Sequence, residues 1–274
     1  MSYKRKRWTS DLIRRRIAEG RGQGEGAYYT PWHLVQDFPS AGRVHRIRGL
    51  KADRIHHLFS DLEANAFFIF DLAQLILDIR EQFPLFDIEE TLEIAHKAGI
   101  KHPANPYTKH PVVMTTDFLL TIKCGMKIVH HARTLKYANE INNSRVMEKF
   151  EIERRYWEAR NINWGYITEN DIPFQLVENA RFLHPYFSFT SLYPLTKKQV
   201  RRVIYELTER IHVDPRPLCE VASACDQKFG LSPGKSLAVA RHLLARKIWK
   251  VDMNQPIRLS QRLTLIESEI KESF

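Results

Sequence analysis

The sequence predicts an α/β protein with a mixed sheet covered by helices, followed by a mostly helical region that carries a small hairpin. The first observation is a pair of runs with a period of two that meet at a glycine-containing turn within residues 112–136, which is typical of an antiparallel hairpin. The second is that amphipathic helical patterns flank this hairpin on both sides. The third is a shift to helical patterns after Thr168, which predicts two domains, residues 1–168 and 169–274.

The composition favours a polyanionic partner. The 274 residues include 42 Lys and Arg against 32 Asp and Glu, a net charge of +10. Such a balance is common in proteins that bind nucleic acid, although ribosomal and membrane-surface proteins share it. Three cysteines without CxxC spacing argue against a disulfide framework or a zinc site, so a reducing cytoplasm is the expected compartment. No apolar run approaches the roughly twenty residues of a membrane helix, and we expect no membrane contact.

The N-terminal region, up to about residue 49, is basic and shows a helical pattern only over residues 9–18. The glycine run of residues 20–26 resembles a phosphate-binding loop superficially. It follows no predicted strand and lacks the Lys-Ser/Thr ending, which predicts a flexible connection. Arg43, Arg46 and Arg48 alternate with apolar residues as in a strand, and they present cations either to a nucleic-acid backbone or, as an ordinary edge strand, to solvent.

A helix with an apolar stripe is predicted over residues 60–75. At its start, Ser60 and Glu63 match a capping box, in which the Glu63 carboxylate accepts a hydrogen bond from the Ser60 amide. The preceding His56 and His57 point to opposite sides of an extended chain, so we do not expect them to share a metal ion. The segments that follow are a strand, a short helix and a proline-rich loop, over residues 75–85, 88–98 and 103–111.

The hairpin carries the candidate chemistry. Its first strand places Asp117 on the same face as Val113 and Leu119, while the opposite face is apolar and expected to be buried. A carboxylate beside apolar side chains is costly to ionise without a cation, a strong donor or water. On the returning strand, Thr134 and Lys136 share a face that lies alongside Asp117. Asp117 and Lys136 form either a cross-strand ion pair or part of a site that holds a divalent metal and polarises a phosphate.

A charged amphipathic helix over residues 145–160 and a strand over 163–168 complete the first domain. In the second domain the sequence predicts three helices and then two short strands. These cover residues 196–209, 218–229, 232–247, 248–252 and 255–259. Three helices with a small hairpin are typical of a winged-helix module, which either places its third helix in a DNA groove or docks another protein.

Four segments resemble one known family closely. They are residues 55–63, 77–85, 114–118 and 148–157, which read IHHLFSDLE, LDIREQFPL, MTTDF and EKFEIERRYW. Together they make the chain similar to the TnsA endonuclease of Tn-seven-type transposons. The resemblance covers nearly all of residues 1–168, whereas over the C-terminal region it depends mainly on position and on the helical pattern.

The resemblance implies a restriction-endonuclease-like fold of the PD-(D/E)xK superfamily, whose αβββαβ core has the order of elements predicted above. It assigns Glu63 and Asp117 as acidic metal ligands and Lys136 as the catalytic lysine. Counting back from the following helix places Leu135 and Lys136 at the family's Val-Lys. Counting forward from Asp117 points instead to His131, but the downstream helix is the stronger anchor.

The same resemblance implies two Mg²⁺ ions, with Mn²⁺ as a substitute, at a site formed by Glu63, Asp117, Thr134 and the main-chain carbonyl of Leu135. The family usually carries Gln at the position of Thr134. Because a threonine hydroxyl is shorter, a bridging water is an alternative to direct coordination by this side chain.

The implied activity is hydrolysis of phosphodiester bonds in double-stranded DNA at the 5′ ends of a transposon, the non-transferred strands, in the bacterial cytoplasm. The implied partners are a TnsB-like DDE transposase, which cuts and joins the 3′ ends, and a TnsC-like AAA+ ATPase, which the C-terminal domain docks. Two other functions stay open. One is a catalytically inactive DNA-binding assembly factor of the transposition complex. The other is a stand-alone restriction or repair nuclease.

Overall fold

A computed structural model describes residues 9–37 and 42–268 of the chain. The chain divides into two compact units, Met1–Ile172 and Pro173–Phe274, so the division falls slightly after Thr168, where the sequence placed it. Across the described residues, no helix has the length and apolar character needed to cross a membrane. The N-terminal tetra-basic stretch at residues 4–7 lies outside the described residues.

The first unit contains the predicted order helix, strand, strand, strand, helix, strand, with two short helices inserted. Its elements are α1 (Ser10–Ala18), β1 (His45–Arg48), β2 (Ile55–Leu58), α2 (Asp61–Leu72), β3 (Ile76–Pro84), α3 (Ile88–Lys97), β4 (Thr115–Cys124), β5 (Lys127–Leu135), α4 (Ala138–Ile141), α5 (Ser144–Glu158) and β6 (Asn163–Ile167). The mixed α/β class is therefore confirmed, and so are the helices predicted over residues 9–18, 60–75, 88–98 and 145–160.

The central sheet has the strand order β3-β4-β5-β6. β4 pairs antiparallel with β3 and with β5, whereas β6 lies parallel to β5. The predicted hairpin is confirmed, because Cys124 pairs with Lys127 across the turn and Gly125 adopts the left-handed φ of 60° that such a turn requires. The start of β4 and the end of β5 consequently meet at one end of the sheet. This end carries Asp117 and Leu135.

Helices bury both faces of this sheet. Phe118 belongs to a cluster of buried residues with Leu62 and Phe67 of α2. Leu119, the next residue of β4, belongs to a second cluster with Ile152 of α5. The apolar face predicted to be buried is buried, and Leu119 on the face of Asp117 is buried as well. Each of these large side chains contributes roughly 2 kcal/mol of hydrophobic stabilisation.

The Gly26 amide of the glycine run donates to the Asp78 carboxylate of β3 at 3.1 Å, so the prediction of a flexible connection is wrong. The Tyr29 hydroxyl donates to the Glu81 carbonyl at 3.0 Å, and the Trp32 amide donates to the Gln82 carbonyl at 3.3 Å. Gly22 packs so closely on β3 that a Cβ built there would lie 2.3 Å from Pro84 Cγ. The glycines are therefore needed for close packing and for turns. The absence of a phosphate-loop ending gave no indication of this role.

The second unit consists of four helices and a small two-stranded sheet. Its elements are α6 (Phe174–Leu183), α7 (Lys197–Val213), α8 (Leu218–Phe229), α9 (Lys235–Ala245), β7 (Trp249–Lys250) and β8 (Glu267–Ser268). The three predicted helices are confirmed as α7, α8 and α9, whereas α6 was not predicted. The Asp226 carboxylate accepts hydrogen bonds of 2.7 Å from the amides of Gly234 and Ser236. These bonds satisfy amides at the start of α9, which begins shortly after Pro233.

The second of the two C-terminal strands was predicted in the wrong place. Trp249 in β7 pairs with Ser268 of β8, and residues 255–259 form no strand. The side chain of Asn179 in α6 makes the hydrogen bonds of this main chain instead. Its amide donates to the Gln255 carbonyl at 2.7 Å, and its oxygen accepts from the Ile257 amide at 3.2 Å. The local pattern cannot show this contact, since Asn179 is distant in sequence.

The packing of the glycine run can be tested with two alanine substitutions. Both Gly20 and Gly22 have a left-handed φ, near 75°, but a Cβ at Gly20 meets no atom within 4 Å. We expect Gly20→Ala to cost about 1 kcal/mol of unfolding free energy from backbone strain alone. Gly22→Ala should cost about 3 kcal/mol, because the methyl group also overpacks the contact with Pro84. Urea unfolding of the full chain measures the difference, and equal losses would contradict this account.

Candidate active site

A cavity of about 740 Å³ opens at the end of the sheet where β4 begins and β5 ends. Its lining contains all five residues that the sequence assigned to the site. They are Glu63, Asp117, Thr134, Leu135 and Lys136. Three further charged side chains, Glu140, Lys149 and Glu153, also line it. The structure therefore brings together residues from α2, β4, β5 and the segment after β5, as the resemblance implied.

Glu63 lies in the first turn of α2 and is buried. Its amide donates to the Ser60 side chain at 3.1 Å, as the capping box predicts. The carboxylate accepts from the Phe59 amide at 3.0 Å and from the Ser60 hydroxyl at 3.1 Å, rather than from the Ser60 amide. Capping thus fixes the orientation of Glu63 while leaving its carboxylate in the cavity. The capping and ligand roles are compatible.

Asp117 is held against the end of β5. Its Oδ2 accepts a hydrogen bond of 2.7 Å from the Leu135 amide, a contact that depends on the hairpin register. Burial raises the pKa of Asp117 to about 6, although the Leu135 amide and the charge of Lys136 act in the opposite direction. The Asp117 carboxyl therefore needs a nearby positive charge to be fully ionised near neutral pH.

Glu63 and Asp117, which we call the acidic pair, disfavour each other's charge. Burial, together with the negative charge of Asp117, raises the pKa of Glu63 to about 8. Hard oxygen donors that repel one another in a cavity fit a divalent cation, because its charge removes the repulsion.

Gln82 of β3 connects the two members of the acidic pair and was not singled out by sequence reasoning. Its Nε2 lies 3.4 Å from Glu63 Oε2 and 3.4 Å from Asp117 Oδ1. The residue is buried and has a left-handed φ of 50° inside a strand. The available signal was the polar run Arg80-Glu81-Gln82 within an otherwise apolar strand.

Glu153 of α5 is the second residue that sequence reasoning missed. Its Oε1 accepts from the Thr134 hydroxyl at 2.5 Å and from the Thr116 hydroxyl at 2.6 Å. Burial raises the pKa of Glu153 to about 7. Its signal in the sequence was a charged residue beside Ile152 on the buried face of an amphipathic helix. The Thr134 side chain is consequently bonded to a carboxyl group behind the acidic pair.

Lys136 follows β5 directly, and its amide donates to the Ile167 carbonyl of β6 at 3.0 Å. Its ammonium group pairs with Glu140 at 2.9 Å, and about a third of the side chain is exposed. A pair this exposed contributes only a few tenths of a kcal/mol, so the lysine can turn to another anion at little cost. His131, the alternative counterpart, bonds to Arg133 at 3.2 Å and is not among the cavity residues.

The acidic pair supplies only part of a metal coordination sphere. In residues 9–37 and 42–268, no three or more His, Cys, Asp or Glu side chains gather in a metal-binding group. His56 contacts Glu81 and His57 contacts Val35, which confirms that the adjacent histidines point apart. Mg²⁺ characteristically takes one or two carboxylates together with water and substrate phosphates, so two carboxylates in an open cavity fit this ion.

A mixed sheet with two carboxylates and a lysine at one end defines a class of α/β proteins that includes many nucleases. A family model described as TnsA-like endonuclease N terminal matches residues 74–169, and one described as TnsA endonuclease C terminal matches residues 171–253. The transposon Tn7 transposition protein TnsA of Escherichia coli is 36% identical over 262 residues, which cover 94% of this chain and 92% of that protein. The chain belongs to the TnsA endonuclease family.

The raised pKa values predict how stability depends on pH without a cation. A carboxyl whose pKa is raised by folding contributes stability that is present below its unfolded pKa and is lost as pH rises through the folded value. For Glu63 this pH window runs from 4.5, the ordinary pKa of the side chain, to its folded pKa of about 8. Glu63→Gln removes the charge, so we expect it to stabilise the cation-free chain at pH 8 by on the order of 2 kcal/mol and to flatten the pH profile.

Glu151→Gln is the matched control for this measurement. Glu151 lies on the outer side of α5, where Arg154 lowers its pKa to about 2, so the same substitution should give no stabilisation at pH 8. Urea unfolding of each variant between pH 5 and 9 in the presence of a chelator measures both effects. A Glu63→Gln chain that is no more stable than the parent at pH 8 would contradict the repulsion within the acidic pair.

Proposed function

We propose that the chain is the Mg²⁺-dependent DNA endonuclease subunit of a heteromeric cut-and-paste transposase. It hydrolyses phosphodiester bonds at the 5′ ends of the transposon, on the strands that are not transferred, and acts on DNA in the bacterial cytoplasm. The observation that carries this proposal is the convergence of Glu63, Asp117 and Lys136 on one cavity. Membership of the TnsA endonuclease family and a net charge of +10 support it.

The residues that hold the metal in this proposal are Glu63, Asp117 and the main-chain carbonyl of Leu135. Thr134 acts through a bridging water, because its side chain is short and is held against Glu153 at 2.5 Å. Two Mg²⁺ ions, or Mn²⁺ in their place, supply Lewis-acid stabilisation of charge on the phosphoryl and leaving oxygens. The donors are oxygens, the ligand type that Mg²⁺ prefers, and this agreement supports the choice of metal.

Lys136 orients the attacking water and neutralises the phosphate in this mechanism. Its ammonium group is a compact cation at the cavity, and its present partner, Glu140, is nearly half exposed. A phosphate oxygen that replaces Glu140 gains the same charge pairing in a less hydrated place, where an electrostatic contact is stronger. Asp117 is close enough for the charge of Lys136 to lower the pKa of its carboxyl, so the lysine can act on a water held near that ligand.

Contacts with the DNA backbone are proposed for the exposed arginines before and within β1. Arg43, Arg46 and Arg48 are exposed, and Arg46 and Arg48 lie in β1. Arg48 pairs with Asp53 at 2.8 Å, an exposed contact that a phosphate can replace at little cost. These side chains bind without regard to base sequence, since they carry only charge and donors for phosphate.

For the two units we propose a restriction-endonuclease-like fold and a winged-helix-like fold, respectively. The first rests on the order α2, β3, β4, β5, α5, β6 in one mixed sheet. The second rests on α7, α8 and α9 with the β7-β8 pair. The second unit docks the TnsC-like AAA+ ATPase in this proposal. Its exposed aromatic side chains Phe174, Tyr193 and Tyr205 are of the type enriched at protein interfaces.

The catalytic assignment predicts the effect of two substitutions. Asp117→Ala removes a metal ligand and Lys136→Ala removes the cation beside the water, so each should lower 5′-strand cleavage at least 100-fold. Strand-specific mapping of breaks in a reaction reconstituted with the TnsB-like and TnsC-like partners is the measurement. Lys97→Ala is the charge-matched control, because Lys97 pairs with Glu93 on α3 and does not line the cavity.

The outcomes of this experiment separate the candidate functions. Undiminished cleavage in both variants would reject the assigned site. No cleavage by the parent in the complete reaction would favour an inactive assembly factor, and specific cleavage by the purified chain alone would favour a restriction or repair nuclease.

Metal dependence is predicted independently of these variants. A chelator should abolish 5′-strand cleavage, and Mg²⁺ or Mn²⁺ should restore it, because the acidic pair cannot approach a phosphate without a bridging cation. Calorimetric titration of the parent chain with Mn²⁺ checks the binding itself. Cleavage that persists in excess chelator would contradict the proposed chemistry.

A further inference from the structure

Gln82 lies outside the assigned site and contacts both members of the acidic pair. Its side chain is buried, and its Nε2 lies 3.4 Å from Glu63 Oε2 and 3.4 Å from Asp117 Oδ1. An amide nitrogen carries two hydrogens, one for each carboxylate. Because both neighbours are carboxylates, the nitrogen rather than the oxygen of the amide faces them. Gln82 is thus a neutral donor shared by two groups that repel each other.

The backbone of Gln82 has the conformation that this contact requires. Its φ of 50° is left-handed and uncommon for a residue with a side chain, yet it lies within β3. The flanking pairs are intact, since Glu81 pairs with Phe118 and Phe83 pairs with Thr116. The carbonyl of Gln82 accepts from the Trp32 amide at 3.3 Å. Strain confined to one residue next to a candidate active site is a recurrent sign of a functional constraint.

Main-chain donors hold the other sides of the two carboxylates. The Phe59 amide donates to Glu63 and the Leu135 amide donates to Asp117, from β2's end and β5's end respectively. These two contacts fix Glu63 to the end of β2 and Asp117 to the end of β5, but neither relates one carboxylate to the other. In the described part of the chain, Gln82 is the side chain that donates to both carboxylates.

We propose that Gln82 is the positioning residue of the metal site, which keeps Glu63 and Asp117 directed at one point while no cation is bound. The inference rests on the proposed function, since it assigns a further residue to the same site. Without the shared donor, the two carboxylates are free to turn apart, and a cation must then bring them together on binding. Such a loss of preorganisation appears as weaker cation affinity.

Two substitutions of Gln82 separate the hydrogen bonds from packing and strain. Gln82→Met keeps the length of the side chain and loses the donor. Gln82→Gly also loses the donor but relieves the left-handed φ, so it favours folding where methionine does not. Gln23→Met is the matched control, because the Gln23 amide donates to the Ile17 carbonyl at 2.9 Å, outside the site. Circular dichroism establishes that each full-length variant is folded.

The measurement is calorimetric titration of the metal-free chains with MnCl₂ and MgCl₂. We expect both Gln82 variants to bind the cation about 10 to 100-fold more weakly than the parent, as is typical when a partner of a metal ligand is lost. Gln23→Met should bind as the parent does. In the reconstituted reaction, the Mg²⁺ concentration that gives half-maximal 5′-strand cleavage should rise by a similar factor. Cleavage should recover at high Mg²⁺.

Parent-like affinity in either folded Gln82 variant would overturn the inference. If the parent binds the cation and cuts DNA in this case, only the role of Gln82 fails and the proposed function stands. If the parent neither binds Mn²⁺ nor cuts in the complete reaction, the proposed function fails and the role of Gln82 fails with it. Weaker cleavage that high Mg²⁺ does not restore would likewise reject positioning of the metal ligands.

Discussion

The repulsion between two carboxylates organises the first unit. Folding places Glu63 and Asp117 in one cavity, where burial raises the pKa of both carboxyls and the charge of Asp117 also opposes ionisation of Glu63. Since one pKa unit corresponds to about 1.4 kcal/mol, the fold holds this pair at a cost of several kcal/mol in the absence of a cation. The hydrophobic clusters on the two faces of the sheet offset that cost. The site therefore departs from the favourable packing of the rest of the unit, which is common at functional sites.

Three separate elements must be correctly placed before the acidic pair can form. The first turn of α2 presents Glu63, and its unpaired amides also favour a negative charge there by about 0.3–1 kcal/mol. The β4-β5 hairpin brings Asp117 to the Leu135 amide. The parallel strand β6 then fixes the end of β5, through the bond from the Lys136 amide to Ile167. The helix, strand, strand, strand, helix, strand order is what allows these contacts to coincide at one end of the sheet.

Local sequence patterns predicted the elements, whereas contacts between distant segments largely escaped them. The hairpin, α2 and the cap at Ser60 all follow from periodicity and spacing over a few residues. Gln82 was missed because its partners lie on two other elements, and its unusual φ has no local signature in a residue other than glycine. The strand expected over residues 255–259 was wrong because Asn179, distant in sequence, binds that main chain. The five assigned site residues lie together in the structure, while their roles depend on the family resemblance.

The contact between Thr134 and Glu153 bears on the position at which the family resemblance led us to expect Gln. Both Thr134 and Thr116 donate to the same oxygen of Glu153, and the Trp157 indole donates to the Thr116 hydroxyl at 2.7 Å. This chain of donors fixes Glu153 whether or not it is protonated. Because burial raises its pKa to about 7, Glu153 adds less than a full negative charge near neutral pH. The cavity therefore holds a third carboxyl group, beside the acidic pair, that adds less repulsion near neutral pH than a fully ionised carboxylate would.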